Sequence, residues 1–456
     1  MEEDNKTSKQ LETEKIGKLL FEYSLPAIIA MTTSSLYNII DRIFIGNGIG
    51  PMAISGLAIT FPLMNLAAAF GSLVGAGASA IASIRLGQKK WQDATHTLGN
   101  ALILNLIIGF IFTVIGLVFM DEILILFGAT PATLPYAKDF MTVILYGNVI
   151  THVYIGLNNI MRATGHPRKA MITAFISVGI NIILAPLFIY QFKWGIKGAA
   201  TATILSQIIG LIWVLNHFFN KKTYIRFRRG YFHLDKKITF GIFSIGMAPF
   251  CMNLCSSAIA IIINMQLQKY GKELAIGAFG IINSLATFVV MILFGLNQGM
   301  QPIVGYNYGA RQNNRVLKTL QYTFITGFCI VTFSYIIFQC FPYKIASFFT
   351  DDAELIAITA NGIHYNLIAF PIVTFQIIAA SFFQSIGKAA NAIILSLSRQ
   401  MIFLIPLLFI TPNFWGLNGV WLASPCSDFM AMLLTFILLG HQIKVIQKFD
   451  KEHHLA

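Results

Sequence analysis

Long apolar stretches broken by short polar turns run the length of this chain. The longest uncharged run, from Ile43 to Ile84, covers 42 residues. A run of about 20 apolar residues is long enough to cross a bilayer core as a helix. The apolar blocks predict twelve spanning helices, at 22–45, 53–84, 97–119, 136–161, 170–190, 199–219, 240–268, 274–305, 318–341, 356–384, 390–411 and 419–440. The fold class expected is therefore an all-α polytopic membrane protein. Prolines inside these spans, at 62, 249, 302, 371, 406 and 425, each remove a helix donor and predict kinks. The small-residue stretch "GSLVGAGASA", Gly71 to Ala80, predicts close helix packing. The polar beginning "MEEDNKTSKQLETEK" lacks the apolar core of a cleavable signal, so the first span is expected to direct insertion itself.

The spans form one half written twice. At a shift of roughly 222 residues the landmarks coincide: Pro26 meets Pro249, Asp41 meets Asn264, Gly77 meets Gly299, Gly87 meets Gly309 and Gly165 meets Gly387. "KWGIKGAATATILSQ" likewise meets "FWGLNGVWLASPCSD". Six spans per half is an even number, so both halves enter from the same side and the repeats are parallel. The expected division is an N-terminal six-helix lobe (1–219), a basic linker (220–237) and a C-terminal six-helix lobe (238–456), pseudo-symmetric around a central cavity.

Composition and charge sharpen this picture. Charged residues make up 11% of the 456, against about 25% in soluble domains. The net charge of +13 invites a nucleic-acid reading, but its distribution argues otherwise. With the N-terminus cytoplasmic, 24 of the 32 Lys and Arg fall on the cytoplasmic side. That asymmetry is the one that orients membrane proteins. No nucleic-acid partner is expected. Both termini and the linker, with seven Lys or Arg and one acid, are expected in the cytoplasm beside anionic lipid. The five Cys fall within spans and imply packing rather than disulfides or a metal site. The nine His are scattered, and HExxH, GxSxG and P-loop patterns are absent. An enzyme and an ATP-driven pump are both disfavoured, and no cofactor is expected.

Several motifs in order carry a family resemblance: "SLPAIIAMTTSSLYNIIDRIFIGNGIGPMAISGLAITFP", "GAGASAIASIRLGQKKWQDA", "MRATGHPRKAMITAFISVGINIILAPLFI", "WGIKGAATATILSQ" and "NQGMQPIVGYNYGARQ". The chain resembles the multidrug and toxic compound extrusion (MATE) transporters, and most closely the bacterial branch with its cation site in the N-terminal lobe. The resemblance implies two lobes forming a V in the bacterial cytoplasmic (inner) membrane. It also implies export of cationic, amphipathic organic compounds by antiport with protons or sodium. A monomer is expected.

The family's first-helix acid falls on Asp41. It lies about 15 residues beyond Pro26, some ~20 Å along a helix and toward the outer face. An ionisable group within a span is costly and is a functional candidate by default. Its neighbour Arg42 points about 100° away and is better placed to reach the outer interface than to pair with it. The family's fifth helix commonly carries a second acid. Here that stretch reads "NIILAP", with Asn181 present and Ala185 in the acid's position. Asn181, Thr201 and Thr203 are the polar groups expected to complete the site around Asp41. Loss of a carboxylate weakens a sodium site more than a proton site, so H+ is the expected coupling ion, with Na+ the alternative.

A poly-specific cavity needs apolar and aromatic walls with few polar groups. Candidates for its lining are Tyr37, Phe61, Tyr146, Tyr154, Asn253, Asn264, Asn283, Gln376 and Asp428. Asp428, the only acid well inside a C-lobe span, has a structural reading as an interhelical hydrogen bond. His364 has a similar one. A lipid-linked-sugar flippase or polysaccharide exporter is the alternative function. It would favour a strongly cationic cavity, whereas only Arg42 and Arg399 approach the span interiors.

Overall fold

The computed structural model describes residues 10–221 and 223–454, leaving aside the side chains at 36–39, 42, 43, 46, 47, 51, 257, 273 and 449–454. The expectations for the Tyr37 and Arg42 side chains lie outside the described residues. The described chain is helical, and its apolar spans answer the predicted blocks.

The N-terminal lobe holds α1 (Ile16–Gly48), α2 (Pro51–Gly87), α3 (Trp91–Val118), α4 (Leu134–Ala163), α5 (Pro167–Pro186) and α6 (Gly195–Phe219). The C-terminal lobe begins with α7 (Lys236–Lys272), α8 (Leu274–Gly309) and α9 (Asn313–Cys340). α10 comes in two pieces, Ala353–Asn366 and Phe370–Ser385, bent by 55°. One unbroken span was expected here. Pro371, in the first turn of the second piece, has no N–H to continue the ladder. α11 runs from Ala389 to a corner on Gly416, whose φ is +55°, and α12 runs from that corner to His454.

Two stretches widen into π-helix, Leu187–Gln191 after Pro186 and Ser398–Leu404 within α11. Neither was predicted. Each changes which way the following side chains point.

The corners show the repeat in backbone form. Positive φ occurs at Gly50 and Lys272, at Lys89 and Arg311, at Gly165 and Gly387, and at Gly195 and Gly416. Each pair is separated by the sequence repeat, to within one residue. Short helices at Met120–Leu126 and Pro342–Ser347 follow the third helix of each half.

The lobes join where α1 and α2 cross α7 and α8. Here Gly87 lies against the Tyr306 carbonyl and Gly309 against the Ile84 carbonyl. A side chain at either glycine would overlap backbone, so the crossing requires glycine. The two contacts exchange under the repeat, 84 for 306 and 87 for 309. Further along, contacts reach toward mid-helix: Ser24 Oγ bonds the Leu296 carbonyl (3.3 Å) and Phe70 lies beside Phe250 (4.9 Å between ring centres). At the far ends of the helices the hydrogen bonds and ion pairs among the described residues stay within one lobe. The Tyr190 hydroxyl donates to the Phe44 carbonyl at 3.1 Å, and Tyr270 to Asn413 at 3.0 Å. The two lobes therefore meet at the end that carries the 220–237 linker.

The linker is itself docked. Asn100 donates to the His233 carbonyl (3.1 Å) and accepts from the Asp235 N–H (2.9 Å), and Trp91 stacks on Tyr224. Asp235 then caps α7, its Oδ1 accepting from the N–H groups of Lys237 and Ile238.

Candidate functional site

Asp41 sits on α1 with 8% of its surface exposed. It precedes by one turn the point where α1 meets the π-helical stretch after α5, through Phe44 and Tyr190. On α5, Asn181 is buried and donates its amide to Thr203 Oγ1 of α6 at 3.1 Å, tying the two helices together. One turn further along α5, Ala185 is fully buried in the position where a carboxylate was looked for. Thr201 takes a different course. Its hydroxyl bonds the Lys197 carbonyl of its own helix at 2.7 Å. Two residues along a helix means about 200° around it, so Thr201 and Thr203 face opposite ways. The structure brings Asn181 and Thr203 together and leaves Thr201 out.

The proposed wall residues divide in the same manner. Phe61 and Tyr146 are open, at 52% and 70% exposure, and Asn264 and Asn283 are exposed on α7 and α8. Tyr154 packs inside the N-lobe against Gly210 of α6. Asn253 returns its amide to the Pro249 carbonyl one turn below, at 2.8 Å. Gln376 is not a wall residue: it is buried, with its amide committed to the Leu395 carbonyl of α11 at 2.6 Å.

Asp428 is not a free wall acid either. It is 5% exposed and accepts from Arg399 Nε at 2.5 Å, while Ser427 Oγ donates to the Arg399 carbonyl at 2.6 Å. Beside them Gln400 donates to Ser256 of α7 at 3.4 Å. This C-lobe cluster uses α7, α11 and α12, the counterparts of α1, α5 and α6 around Asp41. The N-lobe counterpart of Asp428 is Gln207, which accepts from Thr151 of α4. His364 bonds Gln339 through Nδ1 at 2.6 Å, in keeping with its structural reading.

The interior of the N-lobe holds polar groups the sequence reading passed over. His152 of α4 is 1% exposed, and neither ring nitrogen has a hydrogen-bond partner among the described residues. Asn105 of α3 lies against Gly156, and Gly109 against His152, so small residues make room for both. Arg162 is buried at the end of α4 with Asn159 as its acceptor at 3.4 Å. A signal was present in the sequence. Asn148, His152, Asn159 and Arg162 recur at three, four or seven residues, a polar stripe along an otherwise apolar helix.

The MatE family pattern matches this chain twice, at residues 26–187 and 249–410, together more than half of its length. The chain belongs to the MatE family. Among the relatives of this MatE chain is the Multidrug export protein MepA of Staphylococcus haemolyticus, 27% identical over 431 residues, covering 94% of this chain and 95% of the relative. The MepA protein of Staphylococcus aureus strain NCTC 8325 is 27% identical over 439 residues, with the same shares covered. Two solved structures share the MatE fold at a TM-score of 0.90. One is a MOP superfamily transporter from Pyrococcus furiosus, and the other is an outward-facing multidrug resistance MATE family transporter. Each is 24% identical and covers 96% of this chain and 98% of its own. The reading as a MATE-type membrane transporter of two six-helix lobes therefore stands, and a membrane-embedded enzyme does not fit the family.

Proposed function

We propose that this MatE chain is a secondary active multidrug exporter. It expels cationic, amphipathic organic compounds across the bacterial cytoplasmic membrane in exchange for protons, with sodium the alternative ion. The observation that carries this reading is Asp41, a buried acid on α1, the helix that packs on α5, where Asn181 is bonded to Thr203 of α6 and the pair offers neutral oxygen and amide groups. Ala185 supports protons over sodium: one carboxylate suits a proton, whereas a sodium ion wants several oxygen ligands.

The lobes are taken as 1–219 and 238–456, joined by 220–237, with both termini in the cytoplasm and the chain acting as a monomer. Contact between the lobes at the linker end then corresponds to a cavity open to the outside. Alternating access parts that contact and closes the opposite end, in the rocking of one bundle against the other. Pairing of Arg399 with Asp428 counts against a flippase for anionic lipid-linked sugars, since it neutralises the C-lobe's mid-span guanidinium. The deciding experiment measures efflux of a fluorescent organic cation from vesicles under an imposed proton or sodium gradient. Efflux under the proton gradient alone is the expected result. Efflux supported equally by sodium alone would remove the proton assignment.

A further inference from the structure

We infer that the membrane-facing groove between α5 and α6, together with the docked linker, forms a binding site for an anionic phospholipid. The groove encloses about 470 Å3 and is lined by Ile176, Ile209, Ile212, Trp213, Asn216 and Phe219. Its α6 lining falls within the last 11 residues of that helix, so it opens in the half of the membrane next to the linker. An apolar groove at this depth suits an acyl chain. Trp213 suits the interfacial zone where indole rings collect. Asn216 supplies an amide able to donate to an ester carbonyl.

The groove runs into the linker without a break. Phe219 packs on Phe227 at 5.2 Å between ring centres, and Phe227 stacks on Phe232 at 5.6 Å. Phe227 N–H donates to the Phe218 carbonyl at 3.0 Å, which holds this aromatic run against the end of α6. Around it stand the cations. Lys221, Arg228 and Arg229 are exposed and Arg226 is half-buried, its guanidinium reaching the Lys221 carbonyl. The linker holds seven Lys or Arg, and its one acid, Asp235, is spent as the cap of α7. Ordinary boundary lipid fills any apolar groove and does not care about headgroup charge. A groove that ends in cations with no ion-pair partner among the described residues does, at about fivefold per well-placed cation. The occupant is therefore a phospholipid with a negative headgroup, supplied by the leaflet that faces the linker.

Trp213 is the reporter. The full chain is reconstituted in vesicles of phosphatidylcholine and phosphatidylglycerol at fixed total composition, with bromine on the acyl chains of one lipid or the other. Quenching at Trp213 is taken as the difference between wild type and Trp213→Phe, which keeps an aromatic wall. Brominated phosphatidylglycerol is expected to quench several-fold more effectively than brominated phosphatidylcholine at equal mole fraction. A combined Lys221→Gln, Arg226→Gln, Arg228→Gln and Arg229→Gln variant is expected to level the two. Equal quenching in the unaltered linker would overturn the proposal without reference to any charge variant, as would a preference that survives the fourfold change. Relief of the quenching by tetraphenylphosphonium would make the groove an access port for organic cations and overturn the lipid assignment. The measurement needs no transport, so it stands apart from the test of export.

Discussion

Gln301 donates its amide to Ser79 Oγ across the two lobes at 3.3 Å, and the two residues are 222 positions apart. That spacing is the period of the repeat, so each occupies the other's place in its own half. They meet where the pseudo-two-fold axis passes between α2 and α8. A bond on the axis lies in the contact that the proposed alternating access would break.

Ser79→Cys with Gln301→Cys is expected to be bridged by a short bis-methanethiosulfonate reagent, which spans the length that the glutamine amide fills. If the lobes must part here in each cycle, the bridged protein loses efflux and a reductant restores it. Full efflux by the cross-linked protein would show that this contact stays closed during transport.

Asp41→Asn keeps size and hydrogen bonding but removes the ionisable group. It is expected to insert normally, lose gradient-driven efflux and retain part of its energy-independent drug binding. A unit charge crossing the membrane gains ~2.3 kcal/mol per 100 mV, so uncoupling it removes roughly 50-fold of accumulation. Near-normal efflux from a well-expressed variant would move the coupling site elsewhere. In the same assay Ala185→Asp, with Asp41 intact, is expected to raise sodium dependence.

The Arg399–Asp428 pair predicts a particular order of stabilities. Removing one partner of a buried pair costs about 3–5 kcal/mol, and somewhat less here because Arg399 is 27% exposed. Asp428→Asn and Arg399→Gln should each lower the unfolding temperature in detergent. Arg399→Met with Asp428→Leu should recover most of the loss, because no uncompensated charge remains. A double variant as unstable as the sum of the singles would mean the two groups are not coupled.

Asp235 gives a pH dependence outside the membrane. The hydrogen bond from the Ile238 N–H, the largest cause, and that from Lys237 hold its carboxyl below the ordinary carboxylate value. Its contribution to the start of α7 is therefore present above the unfolded value near ~4 and is lost as pH falls through the lower folded value. Amide exchange at Lys237 and Ile238, corrected for intrinsic rates, should accelerate on acidification below about pH 4. Asp235→Asn should show no such step. A step that persists in that variant would have another origin.

The spans, their number and their duplication were legible from the chain alone because their causes are local. A helix in lipid must satisfy its own backbone and needs about 20 apolar residues to cross. A duplicated half announces itself by simple shift, as with Gly87 and Gly309 or Gly165 and Gly387. Asp41 stood out for the same reason, as a charge in a place that penalises charge. Partnership between helices was not legible, because it depends on how each helix is rotated about its axis. The π-helical stretch Ser398–Leu404 begins immediately before Arg399, and no pattern in the sequence betrays it. Tertiary packing alone gave Asp428 to Arg399, gave Gln376 to the Leu395 carbonyl and gave Asn181 to Thr203. It also brought Ser79 to Gln301, since two copies of one position touch only when the halves close around a common axis.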